Sequence, residues 1–247
     1  MSLVAPVLDG VRSETPAGQE AHAAELGRAL ANASPREIVT AALRAVGRDH
    51  LAVVSSFGTE SAALLKIVAD VDQAIPVVFL DTGWLFEETL AYRDTLTDLL
   101  GLKDVRSIKP LDSDLAREDS ARELWFSNPD RCCFIRKVEP LQRALKPFSG
   151  WINGRKRFQG GERSAIPIVE ADGNRLKFNP LANVSREELE AIFKLSNLPS
   201  HPLVASGYAS VGCMPCSSRA APGEDERAGR WRGKGKTECG IHTVKMS

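Results

Sequence analysis

The chain has 247 residues, 43% of them hydrophobic, and its 32 basic and 32 acidic residues cancel to zero net charge. That apolar content supports one large core, and the charge balance argues against a nucleic-acid partner or an acidic membrane surface. No apolar run is long enough to span a bilayer, and the first residues lack a basic stretch followed by a long apolar one. A cytoplasmic location is expected, and in that reducing compartment five cysteines point to metal binding or thiol chemistry rather than disulfides.

Residues 1–33, rich in Ala and Glu, read as a loose N-terminal arm with one helix. Ser34, Pro35 and Glu37 then form a helix-start signature: a serine cap, a proline in the first turn and a capping-box glutamate. Gly47 ends that helix. The apolar run 51–55 suits a buried strand, 55–61 a turn and 62–69 a helix. A second buried strand at 76–80 stops at Asp81-Thr82-Gly83; a helix over 86–100 and a shorter strand at 105–108 follow. Downstream, 134–145 has a helical pattern, 151–153 reads as a strand, and Ser185 with Glu188 opens a helix ending near Ser196. Strands alternating with helices predict an α/β domain over 34–216, with a mostly parallel sheet and helices on both faces. The charged, Gly-rich stretch 217–238 reads as flexible, within a mobile C-terminal segment 217–247.

Sheets of this kind bind ligands beyond the carboxyl ends of their strands, where the loops 55–61 and 81–83 fall. Ser55, Ser56, Phe57, Gly58 and Thr59 join a strand to a helix start, which suits an anion, although an ordinary strand–helix turn has the same composition. The loop has no Walker lysine and is not a standard NTPase site. Asp81, Thr82 and Gly83 suit contact with a ribose or base edge; an aspartate that caps the next helix is the alternative.

Four cysteines come in two pairs, Cys132-Cys133 and Cys213-Met214-Pro215-Cys216. Zinc usually takes pairs spaced by two to four residues, and neighbouring side chains diverge, so Cys132 and Cys133 are awkward donors to one small ion. An iron–sulfur cube offers separate irons, and four thiolates suit a [4Fe–4S] cluster; zinc remains the alternative. Cys239 stands apart near the C-terminus, with His242 three residues on, and reads as a nucleophile carried on a tail. Basic residues gather at Arg136-Lys137, in the loop 154–159, and at Arg227, Arg230 and Arg232. In a chain of zero net charge this clustering suggests a polyanionic small molecule. Arg232 and Lys234 read as solvated.

These landmarks occur in one order: the Ser/Gly loop, Leu80-Asp81-Thr82-Gly83, Cys-Cys-x-x-Arg-Lys at 132–137 with Cys213-x-x-Cys216, and Glu238-Cys239-Gly240-Ile241-His242. Together they resemble the assimilatory sulfonucleotide reductases, in the iron–sulfur branch that reduces adenosine 5′-phosphosulfate (APS). The resemblance spans roughly residues 40–242. It implies an adenine-nucleotide hydrolase-like α/β fold and a [4Fe–4S] cluster on Cys132, Cys133, Cys213 and Cys216. It also implies attack of Cys239 on the sulfur of APS, loss of AMP, and reduction of the resulting thiosulfonate by thioredoxin to release sulfite. Lys137 would lie between cluster and sulfate, Arg157, Arg227 and Arg230 would contact the anion, and His242 would support the nucleophile. The chain departs from the family pattern at Lys156-Arg157, where two arginines are common, and at Arg232, where a second tryptophan is common. The 3′-phosphorylated substrate (PAPS) is the nearest alternative, and a cluster-bearing redox sensor the non-enzymatic one. A tRNA-acting ATP pyrophosphatase would show a Ser-Gly-Gly-x-Asp-Ser loop, which this chain lacks.

Overall fold

The computed structural model describes residues 15–221 and 223–242. Residues 1–14 of the expected N-terminal arm, and 222 and 243–247 of the expected C-terminal segment, lie outside them.

Helix α1 (Pro16–Ala29) starts at Thr15, whose hydroxyl accepts from the Gly18 N–H. It packs on the far edge of the sheet, with Ala23 and Leu26 almost fully buried, so this part of the arm is docked rather than loose. Helix α2 (Pro35–Val46) carries the expected capping box: the Ser34 side chain accepts from Glu37 N–H, and the Glu37 carboxylate accepts from Ser34 N–H. Then come β1 (Leu51–Ser55), α3 (Ser61–Val71), β2 (Val77–Leu80), α4 (Glu87–Leu100) and β3 (Val105–Ile108). Short helices α5 (Asp112–Glu118), α6 (Leu124–Ser127) and α7 (Pro129–Cys133) lead into a wide turn over Phe134–Val138 and then α8 (Glu139–Leu145). The chain continues through β4 (Gly150–Ile152), β5 (Val169–Asp172), β6 (Arg175–Phe178) and α9 (Arg186–Leu195), again with a capping box at Ser185 and Glu188.

The six strands form one sheet in the order β3-β2-β1-β4-β6-β5. All neighbours are parallel except β5 with β6, an antiparallel hairpin at the edge. Alternation along the strands separates two cores. Val53, Val77 and Phe79 face α1–α4, whereas Ala52, Val54, Val78 and Trp151 face α8 through Leu141 and Leu145. Both faces of β1 and β2 are therefore buried, which is why these strands are apolar throughout rather than alternating. Among the described residues no helix is long and apolar enough to cross a membrane.

Candidate active site

Strands β1, β2 and β4 end on the same rim, and an open cavity of about 1310 Å³ lies beyond them. The loop after β1 supplies Ser55, Ser56, Gly58 and Thr59. Ser55 Oγ accepts from the Phe57 N–H, which holds Phe57 at a left-handed φ of 47°. The Phe57 ring is fully buried, edge-on to Phe79, and Phe57, expected at the substrate, does not line the cavity. Gly58 lets the loop press against the segment 209–212, since a Cβ there would stand 3.3 Å from the Val211 carbonyl. Thr82 lines the cavity from the end of β2. Asp81 and Gly83 do not, because the Asp81 carboxylate folds back to accept from the Gly83 N–H and faces Lys109 at 3.8 Å.

Six cations line the cavity: Lys137, Arg155, Lys156, Arg163, Arg227 and Arg230. Arg157, the arginine of the 154–159 loop expected at the anion, is not among them. Its guanidinium turns outward, donating to the Ile166 carbonyl at 2.8 Å and to Asn183. Lys156 is extended and faces inward, donating to Glu60 at 2.8 Å, and a short helical turn over Arg157–Gln159 then carries Arg157 away from it. Arg163, passed over in the sequence, takes the inward place. Gly160 and Gly161, both at positive φ, turn the chain so that Arg163 returns to the cavity; the Gly-Gly pair was the available signal. Glycine matters equally at position 212, where a Cβ would overlap the Arg230 guanidinium. Arg230 donates to the Val211 carbonyl at 3.1 Å and lies over Trp231 at 4.5 Å.

The C-terminal stretch, expected to be flexible, is folded over this cavity. It has almost no regular structure, yet it is pinned by Trp231, which is buried and donates its N–H to the Cys216 carbonyl. Lys234 donates to the Trp125 carbonyl at 3.0 Å and Lys236 pairs with Asp130. Arg232 pairs with Glu224 on an exposed surface, away from the cavity. Cys239 lines the cavity, with Gly240 behind it at a φ of 87°. His242 stacks on Trp151, with ring centres 5.8 Å apart and planes 6° from parallel. Burial beside Arg155, Lys177, Arg163 and Arg227 pushes this imidazole well below its ordinary value, so it is neutral. Burial disfavours charge on Glu238 too, but the Arg163 and Arg227 guanidiniums hold its carboxyl below the usual carboxylate range.

A second, smaller cavity of about 330 Å³ lies beside the first and is lined by Cys132, Cys133, Cys213 and Cys216. Asn128 caps α7 through the Arg131 N–H, and Pro129 occupies its first turn, which sets Cys132 and Cys133 at its inner end. The wide turn that follows interrupts the helix expected over 134–145 and re-aims the next two side chains. Arg136 turns inward, nearly fully buried, donating to the Thr82 carbonyl at 2.7 Å and pairing with Asp119 at 2.6 Å. On the facing side, Cys213 bridges to Leu85, Met214 N–H donates to the Trp84 carbonyl, and Thr82 Oγ1 lies 3.2 Å from Cys213 Sγ. Lys137 borders both cavities. Burial opposes its charge, yet the neighbouring Cys213, Cys239 and Cys133 sulfurs hold its ammonium above the ordinary lysine value. Burial pushes the Cys132 thiol up to about 12 and raises Cys133 as well, which makes both poor free thiolates without a metal to bind.

Two buried N–H donors on the wall of this cavity, Trp84 Nε1 and Arg136 Nε, have no partner among the described residues. Leaving such groups unpaired is costly, so a group that accepts hydrogen bonds fits there. Among the described residues no three His, Cys, Asp or Glu side chains converge on the position of a single metal ion. The Arg136–Asp119 pair should carry much of the local stability. Asp119→Ala leaves a buried guanidinium charge unpaired and is expected to cost about 3–5 kcal/mol, read as a fall in unfolding free energy by denaturant titration.

The family model for the phosphoadenosine phosphosulfate reductase domain matches residues 50–219. A protein of Mesorhizobium japonicum named adenosine 5′-phosphosulfate reductase is 48% identical over 91% of this chain and 89% of its own. A protein of Gloeobacter violaceus named phosphoadenosine 5′-phosphosulfate reductase is 41% identical over 88% of this chain and 92% of its own. Among solved structures, the phosphoadenylyl-sulfate reductase of Candida auris superposes with a TM-score of 0.68 at 24% identity, over 83% of this chain and 98% of that one. FMN adenylyltransferase of Candida glabrata shares the fold more distantly, with a TM-score of 0.53 at 12% identity over 84% of this chain and 66% of that one. Sequence and fold thus converge, and the chain belongs to the phosphoadenosine phosphosulfate reductase domain family.

Proposed function

We propose that the protein reduces APS to sulfite and AMP, with thioredoxin as reductant, through a sulfonated Cys239. The observation that carries this reading is the position of Lys137, which borders both the cation-lined cavity holding Cys239 and the cavity of the four paired cysteines. The nucleotide lies beyond β1 and β2, its anionic end among Lys137, Arg163, Arg227 and Arg230. The Cys239 thiolate attacks the sulfur of the sulfate group. An S–S bond forms, the S–O bond to the phosphate breaks, and AMP leaves with the electron pair. Thioredoxin's dithiol then attacks the Cys239 sulfur; sulfite leaves with the S–S electron pair and thioredoxin is oxidised to its disulfide. The tail opens between the two halves, because one thiol must meet first a nucleotide and then a protein.

Cys132, Cys133, Cys213 and Cys216 would hold one [4Fe–4S] cluster, and the unpaired Trp84 and Arg136 N–H groups fit its sulfur acceptors. When bound, the cluster supplies a fixed charge beside the sulfate. Lys137 positions the sulfate against Cys239 and balances its charge, and the neutral His242 on Trp151 anchors the tail. The thioredoxin-coupled assay tests the whole reading. APS should turn over with kcat/KM at least about tenfold above PAPS, about 1.4 kcal/mol in transition-state free energy. Equal or reversed values make the Gloeobacter violaceus relative's namesake substrate the better assignment.

The anion site gives a second expectation. Arg163→Ala should weaken AMP binding about 10- to 100-fold in calorimetry, the range for losing hydrogen bonds to a charged group. Arg157→Ala, which faces away, should leave it within about twofold.

A further inference from the structure

Glu238 precedes the nucleophile directly, and its carboxylate sits among the cations that should meet the substrate. One oxygen is 2.5 Å from Arg163 Nε and the other accepts from Arg163 Nη2 at 2.9 Å; Arg227 Nη2 reaches the first oxygen at 3.3 Å. This is a two-pronged side-on contact with a guanidinium, the geometry by which arginine takes a phosphate or sulfate. The glutamate and Arg163 side chains are only 10% and 13% exposed, so the pair is not a loose surface contact. The other carboxylates on the cavity wall are engaged elsewhere: Glu60 with Lys156, and Glu226 with Arg186. Arg230 and Lys137 form no ion pair with a carboxylate among the described residues. The resting cavity thus holds cations open to a ligand beside an arginine pair already filled by the tail's own anion.

From this we infer that Glu238 is a built-in stand-in for the oxyanion of the nucleotide: it fills the Arg163–Arg227 site in the closed enzyme, and the incoming substrate must displace it. The inference rests on the nucleotide reading above. It couples substrate entry to movement of the tail, since Glu238 and Cys239 are adjacent. The anion that displaces the carboxylate frees the segment that carries the thiol. The closed tail is held besides by His242 on Trp151 and by Ile241 against the α8 core, so releasing the ion pair loosens the tail without unfolding the domain.

AMP is the probe, because its binding can be read without turnover. Glu238→Gln keeps the shape and removes the charge. It is expected to bind AMP about tenfold more tightly than the wild type in calorimetry, since a competing internal ligand lowers apparent affinity by the fraction of sites it fills. In the wild type, AMP should speed alkylation of Cys239, mapped by peptide mass spectrometry. In Glu238→Gln, alkylation should be fast without AMP and change little on adding it. Glu224→Gln, which removes a carboxylate paired with exposed Arg232, is the control and should leave AMP affinity unchanged. Equal or weaker AMP binding by Glu238→Gln would overturn the inference, as would equal tightening in the control. Absence of AMP binding in the wild type would instead sink the nucleotide reading itself.

Discussion

Cys239→Ser is expected to abolish sulfite formation, with a fall of roughly 10⁴-fold or more in kcat, the scale on which nucleophile removal acts in covalent catalysis. The same variant should keep its iron and its affinity for AMP. The reason is geometric. Cys132, Cys133, Cys213 and Cys216 line their own cavity, and Cys239 lines the adjacent one with the cations. A serine hydroxyl is nearly the same size, so the tail should still close. Steady-state assay with thioredoxin, iron analysis and AMP calorimetry on one preparation give the three readings. Loss of iron in Cys239→Ser would show that the fifth cysteine is a cluster ligand.

Lys137→Ala is expected to lower kcat by roughly 10²–10³-fold, the usual cost of removing one charge aimed at the transition state. Lys137 stands where the two cavities meet, and the cysteine sulfurs beside it hold its ammonium above the ordinary lysine value. Its loss should leave the visible absorbance of the cluster and the melting temperature close to wild type. Arg232→Ala should cost less than about twofold, because its partner Glu224 is on the exposed surface. Near-normal turnover by Lys137→Ala with an intact cluster would remove the role given to this residue.

How far the sequence could be read depended on whether a signal was local. The capping boxes at Ser34 and Ser185 are contained in four residues each and appear in the structure as read. Strands β1 and β2 were legible because a strand buried on both faces needs an unbroken apolar run. The β5–β6 hairpin was not read. Its residues include Glu170, Asp172, Arg175 and Lys177, and their charges are buried by pairing across the chain: Glu170 with Arg155 and Lys177, and Asp172 with the Trp151 indole. Hydropathy is blind to that compensation, though Asp172-Gly173-Asn174 was a usable turn signal. The spacing of the cysteines separated two pairs from one tail thiol, and the structure puts the pairs on one cavity and Cys239 on the next. The anion contacts were not legible. Arg155 and Lys156 both line the cavity while a short helical turn over Arg157–Gln159 carries Arg157 outward, and Arg163 reaches the cavity after two glycines turn the chain. Composition shows few aliphatics in the tail, and its docked position rests instead on Trp231 and paired charges, which hydropathy does not register.

The most direct measurement is peptide mass spectrometry of the anaerobically prepared protein after mixing with APS in the absence of thioredoxin. One added SO₃ group is expected on Cys239, with one equivalent of AMP released, and it should leave as sulfite when reduced thioredoxin is added. An unmodified Cys239 beside full AMP release, or the group on any other cysteine, would contradict the role given to Cys239.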